Sequence, residues 1–103
     1  MKKLYILILI IVSQNIFANI NFARLHYNGG GDWYNDSEVL PNLAKFINKE
    51  LKIKIDIEQK IVKVDGANID SYPFIFLTGH GNIKLSKNEE NNVRSYLMNG
   101  GFI

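Results

Sequence analysis

The 103-residue sequence contains no cysteine. That excludes a disulfide framework and a thiol nucleophile, and it leaves no thiol for a lipid anchor. Proline occurs twice and tryptophan once, and no repeat, low-complexity tract or linker interrupts the chain, so one domain is expected. Charge is nearly balanced, with 12 Lys and Arg against 10 Asp and Glu. Two of the cations are Lys2 and Lys3, so from Asn19 onward ten cations face ten anions. A chain without a basic surplus carries no electrostatic footprint for nucleic acid. A membrane-spanning helix requires ~20 apolar residues, and the run from Leu4 to Val12 is about half that.

What this amino-terminus does contain is an export pattern. Lys2 and Lys3 precede the apolar run, Ser13-Gln14-Asn15 break it, and Ala18 places a small residue before a cleavage point. These are the three parts of a secretory signal. Residues 1–18 are therefore expected to be a signal peptide, and residues 19–103 the amino-terminal part of one exported, periplasmic or extracellular domain. An uncleaved signal is the only expected link to a membrane.

The mature chain alternates strand and helix patterns. Asn19 to Tyr27 reads as a strand, with Ile20, Phe22, Arg24 and His26 on one face and Ala23, Leu25 and Tyr27 on the other. A glycine-rich loop, Asn28 to Asp36, follows. Leu40, Leu43, Ala44, Ile47 and Leu51 form a stripe of helical period, with Asp36 or Ser37 as cap candidates and Pro41 in the first turn. Ile53, Ile55 and Ile57 alternate with charged residues, as a half-exposed strand or an extended lead-in. Lys60 to Asp65 reads as a short exposed strand ended by Asp65-Gly66, and Phe74-Ile75-Phe76-Leu77 as a central parallel strand covered on both faces. Thr78 to Asn82 forms a second glycine loop. Ser86 and Glu89 have capping-box spacing, so a helix is predicted from Ser86 to Asn99, with Val93, Leu97 and Tyr96 inward. Asn99-Gly100-Gly101-Phe102-Ile103 reads as a helix end and the opening of a further strand. The domain is therefore expected to be truncated before its last strands.

This order is that of an α/β protein with a parallel sheet. In such sheets ligands bind beyond the carboxyl ends of the strands. Both glycine loops are expected there, on one rim.

Four stretches carry a resemblance to a known family: Phe22 to Asp36, Leu40 to Leu43, Tyr72 to Gly81 and Asn99 to Ile103. Together they resemble the bacterial family of domain of unknown function 4159. The resemblance implies a flavodoxin-like sheet with flanking helices, related to class I glutamine amidotransferases and to trehalose-utilisation-type domains. It also implies export or membrane anchoring, with genes often near MoxR-type ATPases and von Willebrand A-domain proteins. In the amidotransferase-like fold a nucleophile elbow follows the strand that would begin at Phe102.

The candidate ligand-binding residues are Asp32, Trp33, Tyr34 and Asp36 in the first loop, and Thr78, Gly79, His80 and Gly81 in the second. Asp32 and Asp36 flank two aromatics, which resembles a carbohydrate platform; the alternative is that the rings cover the sheet edge while Asp36 caps a helix. His80 stands between glycines and could orient a substrate or act as a base, or it could simply bond neighbouring backbone. The resemblance adds that the corresponding loop of related enzymes donates an oxyanion-hole amide. Gly29-Gly30-Gly31 lacks phosphate-loop spacing. His26, His80, Asp32 and Asp36 show no recognised metal-ligand spacing, so neither metal nor cofactor is expected. Arg24 is expected to pair with a loop carboxylate.

Two functional readings stay open. One is a non-catalytic domain that binds a carbohydrate or an envelope protein. The other is part of a hydrolase or amidotransferase-like enzyme whose nucleophile lies beyond Ile103.

Overall fold

The computed structural model describes residues 20–103. The expected signal peptide lies outside them. The elements are β1 (Ala23–His26), α1 (Val39–Leu51), β2 (Lys60–Lys63), a single 3-10 turn (Ile69–Ser71), β3 (Ile75–Phe76) and α2 (Lys87–Met98). The strands form one parallel sheet in the order β2-β1-β3. Ala23 sits opposite both Lys60 and Ile75, so β1 is central. Beyond β3, Phe74 makes a parallel bridge to Phe102. The architecture is α/β, and its strand order is compatible with a flavodoxin-like fold.

The pleat of β1 divides the interior in two. Phe22 packs on one face with Leu40 and Ala44 of α1 and with Ile55. Ala23, Leu25 and Tyr27 point the other way, into a cluster with Val62, Val64, Ile69, Ile75 and Tyr96 of α2. A period of two along one strand thus serves two helices. This is the alternation read from the sequence, with Arg24 on the α1 face beside the ring of Phe76, 5.4 Å from its centroid.

α1 buries a narrower stripe than its apolar pattern suggested. Leu40 and Ala44 are buried and Ile47 packs beside them, whereas Leu43 and Leu51 are exposed. A three-stranded sheet this small offers cover for only the centre of the stripe. The helix cap also differs from both candidates. Glu38 occupies the cap position without a side-chain cap bond, because Asp36 turns at positive φ and its carbonyl accepts from Val39 N–H at 3.1 Å.

The isoleucine segment settles as an extended lead-in. Asn48 of α1 accepts from Ile55 N–H at 2.7 Å and donates to Ile55 O at 2.8 Å. Those bonds act together with a parallel bridge from Ile55 to Ile20, and Ile55 is buried while Ile53 and Ile57 face outward.

β3 is shorter than the Phe74 to Leu77 run. Ile75 is fully buried, Phe74 and Phe76 are half-buried, and Leu77 reaches the surface where the chain turns into its loop. α2 opens on the predicted capping box: Ser86 Oγ accepts from Glu89 N–H at 3.2 Å, and a Glu89 carboxylate oxygen accepts from Ser86 N–H at 2.7 Å. Inward positions are Val93 and Tyr96, not Leu97, which is exposed. Tyr96 wins because its hydroxyl donates to Tyr72 O at 2.6 Å while its ring fills the core.

Candidate functional site

Both glycine loops leave carboxyl ends of adjacent parallel strands, β1 and β3. They run against each other. Lys84 N–H donates to Asn28 O at 2.7 Å, Gly30 bridges Asn82, and Asp32 N–H donates to His80 O at 3.2 Å. Tyr27, at the end of β1, donates its hydroxyl to Thr78 O at 3.0 Å. Gly79 (φ 140°) lies directly on that hydroxyl, and a side-chain carbon there would collide with it and with Asp32.

Asp32 is the joint between the loops. One carboxylate oxygen accepts the backbone N–H of His80. The other lies 3.2 Å from His80 Nδ1 and accepts from Asn35 Nδ2 at 3.2 Å. The His80 amide, and then its ring, hold the Asp32 carboxyl below the usual aspartate range, because donors favour the ionised form. With the carboxylate taking the Nδ1 proton as acceptor, the imidazole presents Nε2 outward. Its side chain is 88 % exposed.

The eight candidate positions therefore divide. Asp32 meets Gly79 and His80, whereas Thr78 is held by the Tyr27 hydroxyl and Gly81 lies beside Gly30 and Gly31. Trp33 turns inward, stacked on His26 at 4.1 Å and packed against the larger core cluster. Tyr34 turns outward, 66 % exposed and edge-on to Trp33 at 5.8 Å. Asp36 is exposed, and its backbone is tied toward β1 rather than to the second loop.

Arg24 does that tying. It donates to Trp33 O at 2.9 Å, Asn35 O at 2.5 Å, Asp36 O at 2.7 Å and Gln59 Oε1 at 3.1 Å. The expected partner was a loop carboxylate; the observed partners are loop carbonyls and one amide. A turn that folds back over a strand aims its carbonyls at the strand, and a planar five-donor group satisfies several of them together. Burial opposes the charge of Arg24 and lowers its pKa, which nearby Asp36 partly offsets. The clamp was missed because it acts on backbone. Its one signal was a cation on the apolar face of a strand.

Two further concavities differ in their distance from this junction, the smaller one sharing Asn28 with it. One of about 370 Å³ is lined by Tyr72, Pro73, Tyr96 and Gly101 at the amino end of β3. A small one of about 80 Å³ lies between His26, Lys63, Asp65 and Glu89. Among the described residues, no three His, Asp or Glu side chains cluster closely enough to hold a metal ion.

The family described as domain of unknown function 4159 matches residues 21–103. The chain belongs to that family. Within this domain of unknown function 4159, the matched span takes in both loops, the Arg24 clamp and the two helices. No curated protein and no solved structure matches the chain.

Proposed function

We propose that this member of the domain of unknown function 4159 family is an exported, flavodoxin-like domain of amidotransferase-like type that binds a carbohydrate of the cell envelope on its loop rim. The supporting observation is the Asp32 joint: it fastens the loop after β1 to the loop after β3 at the carboxyl edge of the sheet, where open α/β sheets take their ligands. Tyr34 presents a free aromatic ring on the same loop, suited to the apolar face of a sugar. Asp36 and His80 offer exposed polar groups for hydroxyls. Export rests on Lys2-Lys3, the Leu4 to Val12 run and Ala18.

Calorimetric titration of soluble cell-wall oligosaccharides tests the binding. Saturable uptake that Tyr34→Ala weakens is the expected result, and no uptake by a folded protein refutes it. Amino-terminal sequencing after expression in a bacterium tests export: the product should begin at Asn19 outside the cytoplasm.

A further inference from the structure

We propose that Asp32 and His80 form a proton-transfer dyad, and that the rim hydrolyses acyl esters carried by its hydroxyl-rich ligand. The identity of the ligand rests on the carbohydrate reading above; the dyad itself does not.

The geometry has the parts a general base needs. Asp32 lies 3.2 Å from His80 Nδ1, and its carboxylate is fixed by the His80 amide and by Asn35. An ionised acceptor at Nδ1 selects the Nδ1-protonated tautomer and leaves the Nε2 lone pair free. Gly79 and Gly81 flank the ring with no side chains, so Nε2 is open to a bound molecule. Among the described residues, Asp32 is the titratable side chain bonded to this ring.

Chemistry narrows the reaction. Glycoside cleavage uses a pair of carboxyls with one as proton donor, but Asp32 is taken up by the His80 amide and ring and by Asn35, and the backbone of Asp36 is tied back toward β1 by Arg24 and not to the second loop. Phosphoryl transfer calls for cations around the phosphate, and the rim's guanidinium, Arg24, is buried and spent on carbonyls. Amide cleavage expels an amine, a poorer leaving group than an alcohol, and asks more of a single base. An ester expels an alkoxide and needs only one proton moved. In the proposed step His80 Nε2 takes a proton from water as the water oxygen bonds to the acyl carbon. The tetrahedral intermediate then breaks its bond to the sugar oxygen, which receives the proton from the imidazolium. The products are a carboxylic acid and a free hydroxyl. Asp32 is a positioning residue, and His80 is the catalytic one.

Acetate release by the full chain tests this, with an O-acetylated oligosaccharide and p-nitrophenyl acetate as probes. His80→Gln, an exposed substitution, should keep its circular dichroism and lose about a hundredfold or more of kcat/KM. Asp32→Asn should lower kcat more than it changes KM, and nitrogen-detected NMR should show the His80 ring shifted from the Nδ1-protonated form. A wild-type rate no greater than that of equimolar imidazole, or an unchanged His80→Gln rate, overturns the dyad even if the saccharide binds. His80-dependent cleavage of p-nitrophenyl acetate with no preference for the saccharide ester upholds the dyad and overturns the carbohydrate reading.

Discussion

Arg24 Nη2 donates to the carbonyl oxygen of Asp36 at 2.7 Å, and the same guanidinium reaches the carbonyls of Trp33 and Asn35. The side chain is 2 % exposed as a whole residue, so water cannot replace it. Removing the donors strips the carbonyls of half-buried Trp33 and Asn35 of this partner, while Asp36 O keeps the Val39 amide. Arg24→Met should therefore cost about 3 kcal/mol in urea unfolding. Arg24→Lys should recover little, since a point ammonium cannot span the same acceptors. A loss below about 1 kcal/mol for Arg24→Met would mean that the loop holds its shape without the clamp.

Gly79 supplies a second test of the junction. Its φ of 140° disfavours any side chain, and a methyl would fall on the Tyr27 hydroxyl and on Asp32. Gly79→Ala should cost about 2 kcal/mol or more. Tyr27→Phe alone should cost about 1 kcal/mol through loss of its bond to Thr78 O. Combined, the two should cost less than their sum, because removing the hydroxyl relieves part of the collision. Strict additivity in a double-mutant cycle would place the two residues out of contact.

These two residues also show what was readable beforehand. Tyr27 was placed on the correct face of β1 by its period of two, and the α/β order and the Ser86–Glu89 cap followed from equally local patterns. Such signals lie within one element. The partner of Tyr27 and all but one of the partners of Arg24 are backbone carbonyls of residues up to 51 positions away, and a carbonyl has no sequence identity to read. The surplus on α1 failed for a related reason. Leu43 and Leu51 match the stripe, but exposure is decided by the width of the sheet beneath them. The rim is intermediate: parallel-strand topology implied that the loops meet, while the Asp32–His80 contact depends on turns within them.

Asp32 predicts a dependence on pH. Its carboxyl is held below the ordinary value by the His80 amide and ring. A carboxyl depressed on folding contributes stability above its unfolded value, ~3.9 for aspartate, and loses it as pH falls through the lower folded value. The stability gap between wild type and Asp32→Asn should therefore be full at neutral pH and close only below about pH 4. Denaturant midpoints across that range measure it. A gap independent of pH would show that the carboxylate charge contributes nothing to the junction.

Trp33 and Tyr34 are neighbours with opposite surroundings, and substitution should separate their roles. Trp33 stacks on His26 at 4.1 Å and packs on the core cluster, so Trp33→Ala should lower stability by about 1–3 kcal/mol. Tyr34 is 66 % exposed, with one edge-on contact to Trp33. Its removal should leave the unfolding midpoint nearly unchanged. If the rim takes a sugar, Tyr34→Ala should instead weaken binding by about 1 kcal/mol, roughly fivefold. Loss of affinity in Trp33→Ala alone, with Tyr34→Ala binding normally, would locate the contact surface away from the exposed ring and leave Tyr34 without a role on the rim.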